Sequence, residues 1–401
     1  MATTTMAVVD GLLKEIYEEK LRDQLQSEIL TLKRIERSTE GVTHEVGGKY
    51  VAFPIRVKRN HGIGARGENE PLPVARSNTY VQARVGLKNL YGALELTGQV
   101  FELADKDPQA FASALDQEVN GLREGLKKDG NRQVYGTNTG VLAVAVTGNT
   151  TTMTNTNAGA LQYLEIGMIV DIIDSDGTTV NSSDAEISNI NLSTGVVTFL
   201  AAVTTIAVND FLVRADSLGK EITGFAQIVQ TTGEIYNVNP TTYPVWTGNV
   251  DASGGALSEG KMIEMNDAIR MRGGGTPTVI FTSLGVRRAY FKLLQQQRQF
   301  VNTQKFEGGF TGLAFTTDAG EIPLVSDYDC QTGRMYFINE KELKLYEASD
   351  WSFMNRDGSN WQRKITSAGN YDAYQATLYK YCELGTHRRN AHGVLTGLTE
   401  A

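Results

Sequence analysis

Tyr50-Val-Ala-Phe-Pro-Ile-Arg-Val-Lys-Arg59 and Tyr80-Val-Gln-Ala-Arg-Val-Gly-Leu-Lys88 are the two limbs of one hairpin. Val51, Phe53, Ile55 and Val57 alternate along the first limb, and Val81, Ala83, Val85 and Leu87 along the second. A period of two marks strands with one buried face. The tip between them is made of Gly, Asn, Glu and Pro and has little to bury. A ribbon of two long strands is marginal in water unless its apolar face packs on something else. Its charge is lopsided as well. Lys49, Arg56, Lys58, Arg59, Arg66, Arg76, Arg84 and Lys88 are set against only Glu68 and Glu70, in a chain of net charge -8. A basic, half-apolar arm on an acidic body is suited to gripping a neighbour.

The chain has 401 residues, enough for two or three cores. Its 41 glycines and 8 prolines suit a loop-rich β protein whose turns use positive φ. An acidic balance argues against a dedicated nucleic-acid binder. Cys330 and Cys382 fit no metal or redox spacing and are expected as buried thiols in a reducing compartment. The first ten residues lack a basic region followed by an apolar run, so no secretory signal is expected. No apolar stretch approaches the ~20 residues of a membrane span. The expected site of synthesis and folding is a cytoplasm.

Around the hairpin the pattern is mixed. Leu13, Tyr17, Leu21 and Leu25 predict an exposed amphipathic helix over 10–36. A second helix is predicted from Pro108 to about Asp129, with Asp107 as N-cap and Gly130 as C-cap. Phe111, Leu115, Val119, Leu122 and Leu126 form its stripe, and Gly121 and Gly125 suggest close approach of another backbone. From 137 to 216 the chain turns rich in Thr, Asn, Ser, Val and Ile and almost loses Lys and Arg. Strands at 167–173, 185–192, 195–200 and 210–214, with turns at Asp176-Gly177 and Ser193-Thr-Gly195, predict a small β-barrel or sandwich. Beyond it, helices are expected at 258–272 and 286–300, and strands at 276–282, 334–338, 343–348 and 371–383.

No constellation supports an active site. Gly62-Ile-Gly-Ala-Arg-Gly67 has the dinucleotide spacing, but Glu-Asn-Glu-Pro-Leu-Pro73 follows it and cannot open a helix, so the glycines belong to an arm tip. Asp171, Asp174, Asp176 and Gly177 lack the register and closing glutamate of a calcium loop and are expected in a tight turn. His44, His61, His387 and His392 form no metal motif. Neither cofactor nor metal is expected.

The order of N-terminal helix, long hairpin, capped helix and mixed body ends in Tyr379-Lys-Tyr-Cys-Glu-Leu-Gly-Thr-His-Arg-Arg-Asn-Ala-His-Gly-Val-Leu-Thr-Gly397. That order and ending resemble the major capsid proteins of tailed double-stranded DNA phages with the Hong Kong 97 fold, an α+β fold. The ending from Arg389 to Gly397 is similar to that of phages infecting actinobacteria. The resemblance implies an N-arm at 1–45, an extended loop at 46–91, and a peripheral domain from 92–136 with 340–383. It implies an axial domain from 217–339 with 384–401, and makes 137–216 an inserted β domain. By resemblance, Lys58 and Asn355 or Asn360 are candidates for a crosslink between subunits.

The implied function is a structural, non-enzymatic one: self-assembly into an icosahedral shell enclosing a double-stranded DNA genome. Implied partners are further copies in hexamers and pentamers, with portal, scaffolding and decoration proteins, and DNA held by enclosure, with no membrane. The implied place is the virion, assembled in the host cytoplasm. The expected contact lays Arg56, Lys58, Arg59, Arg66, Arg76 and Arg84 across Glu102, Asp105, Asp107, Asp116, Glu118 and Glu124 of the next subunit. Phe53, Ile55, Val81 and Val85 are expected to bury the face shared there. Two alternatives are an encapsulin-type compartment of the same fold and a β-rich glycan-binding virion protein.

Overall fold

The computed structural model describes residues 29–39, 42, 50–98, 108–155, 158–297, 304–305, 311–318, 320–355, 358–366 and 369–401. The described part opens with a short helix, Thr31–Arg34, and strand β1 (Glu36–Ser38). Strands β2 (Tyr50–Lys58) and β3 (Thr79–Gly86) pair antiparallel as the hairpin, Val51 opposite Val85 and Ile55 opposite Val81. Strand β4 (Lys88–Thr97) follows, and then the long helix Pro108–Tyr135, here called the spine.

Strands β5 (Val141–Gly148), β6 (Thr152–Asn155), β7 (Ile169–Ile173), β8 (Val180–Asn191), β9 (Val196–Phe199) and β10 (Phe211–Arg214) form a closed barrel in the order β10-β5-β6-β9-β8-β7. Its core holds Leu142, Met153, Leu161, Ile172, Ile187, Val197 and Leu212. The four strands expected there are present, and β5, a Val- and Ala-rich run, and the short β6 complete the closure. Asp176 accepts from the Thr178 and Thr179 N–H groups and from Thr179 Oγ1, fixing the expected turn.

After a short helix, Phe225–Ile228, come β11 (Asn249–Asp251), a helix Glu259–Met271, β12 (Val279–Thr282) and a helix Leu284–Gln297. Then follow β13 (Gln304–Lys305), β14 (Thr311–Thr317), β15 (Gly320–Ser326) and β16 (Met335–Ile338). The chain closes with β17 (Leu343–Glu347), β18 (Ser352–Phe353), β19 (Gln362–Thr366), β20 (Gly369–Thr386) and β21 (Gly393–Leu395). One sheet runs β11-β21-β16-β12-β15-β14-β13. The other is built on β20, which pairs with β4, β17, β18 and β19, while β1 joins β17. The Glu259–Met271 helix starts as expected, with Ser258 Oγ accepting from Lys261 N, and buries Met262, Met265 and Ile269.

Two helix expectations are corrected. Gly130 is not the C-cap of the spine, which continues to Tyr135. Asn131 through Tyr135 are all buried, and that burial outweighs the ~1 kcal/mol cost of a helical glycine. Tyr135 meets Phe225 edge-on at 5.5 Å, and Phe225 stacks on Phe281 at 5.8 Å, in the core between the two sheets. The described end of the 10–36 span is not an exposed helix either. Ile29, Thr31 and Ile35 are buried, and Glu36 begins a strand. Thr31 is tied down by Asp327, which accepts from its N–H at 3.1 Å and its hydroxyl at 2.6 Å. Asn131 Nδ2 donates to Asp329 at 2.6 Å, and burial raises that carboxyl to about 6.

The C-terminal segment is a staple. Arg389 is fully buried, with no carboxylate paired to it among the described residues, and donates to the carbonyls of Gln227, Ile228, Thr232, Gly233 and Trp246. It thereby satisfies the open end of the Phe225–Ile228 helix and the loop after it. Burial lowers its pKa to about 10, so the charge persists at neutral pH. Arg389→Met should strand several buried carbonyls and cost ~3–5 kcal/mol, read as a lower urea midpoint of the soluble subunit.

Two buried groups set a pH window. Burial raises Glu383 from 4.5 to about 8, although its Oε1 accepts from Thr223 N and Leu384 N. Across that interval the unfolded chain has released a proton that the folded chain keeps, so stability falls as pH rises and then levels off. Burial lowers His392 from 6.5 to about 3, so stability also falls as pH drops through that interval. Glu383→Gln keeps the acceptor and should flatten the alkaline slope, leaving the variant more stable than wild type near pH ~9 and similar near pH ~4. Denaturation midpoints against pH read the difference directly.

Candidate functional site

The hairpin has two halves with different environments. At its root, Val51, Ala83 and Val85 are buried against Ile235, Tyr236, Val238, Trp246 and Tyr346 of the same chain. Phe53, Ile55 and Val81 are half-buried on the same cluster, and the Phe53 ring meets His387 edge-on at 4.8 Å. Arg84 N donates to Tyr236 O at 2.9 Å, and the Tyr236 hydroxyl donates to Leu384 O at 2.6 Å. The expectation that Phe53, Ile55, Val81 and Val85 bury their face on a neighbour is therefore corrected. A two-stranded ribbon needs a third surface, and an irregular loop of its own chain supplies it. That loop has no periodicity to reveal its role.

Beyond the root the hairpin is bare. Arg56, Lys58, Arg59 and Arg76 are exposed, and none has an ion-pair partner among the described residues. Arg66 folds back onto Ala65 O and Pro71 O, both at 2.9 Å. Arg84 donates to Gln82 Oε1 and lies 5.0 Å from the Tyr50 ring centre. Ile63, Leu72 and Val74 are exposed apolar residues of the tip. Lys88 belongs to β4 rather than to the hairpin and donates to Gly219 O at 3.0 Å.

Of the acidic surface expected to receive the arm, Glu118 and Glu124 are exposed on the spine. Glu102, Asp105 and Asp107 lie outside the described residues, as does the side chain of Asp116 and those of Phe111 and Leu115. Within the subunit Gly121 and Gly125 make no close contact among the described residues, and a Cβ at either would meet open space. They line a cleft of about 340 Å³ between spine and barrel, with Tyr91, Leu122, Leu126 and Met168. The barrel is fastened across that cleft by charge. Arg214, at the end of β10, and Arg132 both reach Asp129, at 3.3 and 3.1 Å, and Arg132 also pairs with Glu221. Burial pushes Asp129 up, but the two guanidiniums hold its carboxyl below the ordinary value. Lys128 pairs with Glu165 at 2.5 Å.

Lys58 is exposed at the end of β2, and Asn355 and Asn360 are exposed between β18 and β19. They occupy separate parts of the chain, the ribbon and the β20 sheet. Cys330 and Cys382 are buried and free, and burial raises both thiols. Sequence reasoning missed Arg389, Glu383 and the Asn131–Asp329 contact, because each takes its meaning from partners far away in the chain.

The family model described as SU10 major capsid protein matches residues 113–399. No curated protein matches the sequence. The capsid asymmetric unit of cyanophage A-1(L) aligns with a TM-score of 0.59 at 14% identity, covering 99% of this chain and 100% of that one. The capsid of an empty GTA particle aligns with a TM-score of 0.52 at 11% identity, covering 99% and 100%. A Synechococcus elongatus encapsulin, at 10% identity and 99% and 96% coverage, has a TM-score of 0.46, too low to argue from. The two stronger likenesses give the fold, that of Hong Kong 97-type phage capsids. The family match runs from inside the spine helix almost to the last residue, and on it the chain belongs to the SU10 major capsid protein family.

Proposed function

We propose that copies of this chain, in hexamers and pentamers, build the head shell of a tailed phage around packaged double-stranded DNA. The observation that carries this is the divided hairpin: a root held in its own subunit and a basic tip with unpaired cations. Such an arm is fixed in direction and free to meet the next copy. On this reading residues 46–91 are the extended loop and 1–45 the N-arm. The peripheral domain is 92–136 with 340–383, the axial domain is 217–339 with 384–401, and 137–216 is an addition. The stem cations Arg56, Lys58 and Arg59 face the neighbour's spine acids, with Glu118 and Glu124 among them.

Exposed ion pairs contribute only ~0–1 kcal/mol each, so they set register while many arms together hold the shell closed. A net acidic wall suits a container, because a basic lining would hold DNA and oppose its release. Portal, scaffolding and decoration proteins would meet the shell in the host cytoplasm. The family match, being to a capsid protein, favours this function over a cargo compartment or a glycan binder.

The two halves of the arm should fail differently. Reversing Arg56, Lys58 and Arg59 to Glu should leave the subunit folded by circular dichroism and abolish closed particles by light scattering and electron microscopy. Val85→Asp places a carboxylate in the root and should destabilise the subunit itself by several kcal/mol, ~3–5. Normal shells from the triple reversal would refute the arm's role.

A further inference from the structure

Thr137 through Val213 holds no Lys or Arg, against Glu165, Asp171, Asp174, Asp176, Asp184, Glu186 and Asp210. The barrel is thus the most one-sided acidic body in the chain, as the hairpin is the most one-sided basic one. Asp171 and Asp210 are buried, and Glu165 is paired with Lys128. Asp184 and Glu186 are exposed, and their carboxylates have no hydrogen-bond or ion-pair partner among the described residues. They stand on β8 beside an apolar patch. Ile169 lies opposite Glu186 in register, Leu200 N donates to Glu186 O at 2.8 Å, and Gly167 N donates to Ile187 O at 2.8 Å, bringing Ile166 alongside. Ile166, Ile169 and Leu200 are 67, 48 and 66% exposed.

The tip of the hairpin has the complementary make-up. Ile63, Leu72 and Val74 are 82, 84 and 73% exposed, and Arg59 and Arg76 beside them are unpaired. Each surface leaves large apolar side chains in water beside unpaired charges, cations Arg59 and Arg76 outnumbering Glu68 on the tip and carboxylates on the barrel. Patches of that kind mark interaction sites.

We propose that the hairpin tip of one subunit docks on the barrel of the next copy, at Ile166, Ile169, Asp184, Glu186 and Leu200. This rests on the shell function above and gives the barrel a part in it, as the receptor for the tip beyond the spine. Apolar burial holds the contact, and the opposed charges select its orientation.

The test uses the full chain. Arg76→Lys provides an amine at the tip, and a zero-length carbodiimide joins amines only to carboxylates in contact with them. Because no Lys or Arg lies between Arg132 and Arg214, trypsin releases the barrel as the single fragment 133–214, which makes its crosslinks easy to assign. Assembled Arg76→Lys particles should show position 76 joined to Asp184 or Glu186 between chains, a crosslink absent from unassembled subunits. Asp184→Lys with Glu186→Lys should lower the yield of closed particles by about tenfold, and adding Arg76→Glu should restore part of it. If the lysine pair impairs folding by circular dichroism, Asp184→Asn with Glu186→Gln takes its place and should give a smaller loss. Crosslinks from position 76 only to residues outside the barrel, or unchanged yield from folded barrel variants, would overturn the docking while leaving the shell function standing. Failure of the wild-type chain to form particles at all would sink the shell function instead.

Discussion

A two-stranded ribbon cannot hold its own direction in water, and here the burial of Val51, Ala83 and Val85 against Tyr236, Val238 and Trp246 holds it. Fully burying one valine is worth ~1.5–3 kcal/mol, enough for a few such residues to fix the root firmly. Arg84 N on Tyr236 O and Phe53 against His387 add direction to that burial. Past Ile55 the packing stops and the unpaired cations begin. The same sequence alternation therefore serves two ends, intramolecular at the root and outward-facing at the tip.

The loop that grips the root must itself be rigid. Residues 225–246 contain little regular structure, and their carbonyls converge on the Arg389 guanidinium. A buried cation solvated only by carbonyls is costly to make and costly to lose, which is why it holds a single arrangement. Glu383, on β20, accepts from Thr223 just before the same loop. On the other side, Tyr135 places the end of the spine against Phe225. Arm root, spine end and C-terminal segment thus meet around one irregular stretch, and strain at any of them is felt at the others.

Much of this was legible in the sequence because it is periodic. The hairpin strands, the spine, the Met262–Met265–Ile269 helix and four barrel strands all show their repeat, and Ser258 marks the start of the Met262 helix. What was hidden depends on partners remote in the chain. Gly130 reads locally as a helix stop, yet the burial of Val134 and Tyr135 carries the helix past it. Gly121 and Gly125 read as a packing seam and instead line a cleft. Val85 reads as a contact for a neighbour because alternation tells which face is apolar but not which chain covers it. Arg389 carries no local signature, since its acceptors lie about 160 positions earlier in sequence. The charge pattern was legible as an asymmetry, while the split of the arm into a paired root and an unpaired tip required the fold.

The central claim is that the arm is anchored in its own subunit and engages the next one with its tip. The most direct measurement is a cryo-electron microscopy map of assembled particles at side-chain resolution. It should show residues 51–55 and 81–85 packed on residues 235–246 of their own chain, with residues 59–78 lying on an adjacent copy. A closed shell in which the tip rests on its own subunit, or in which the root leaves its own loop for a neighbour, would contradict the account.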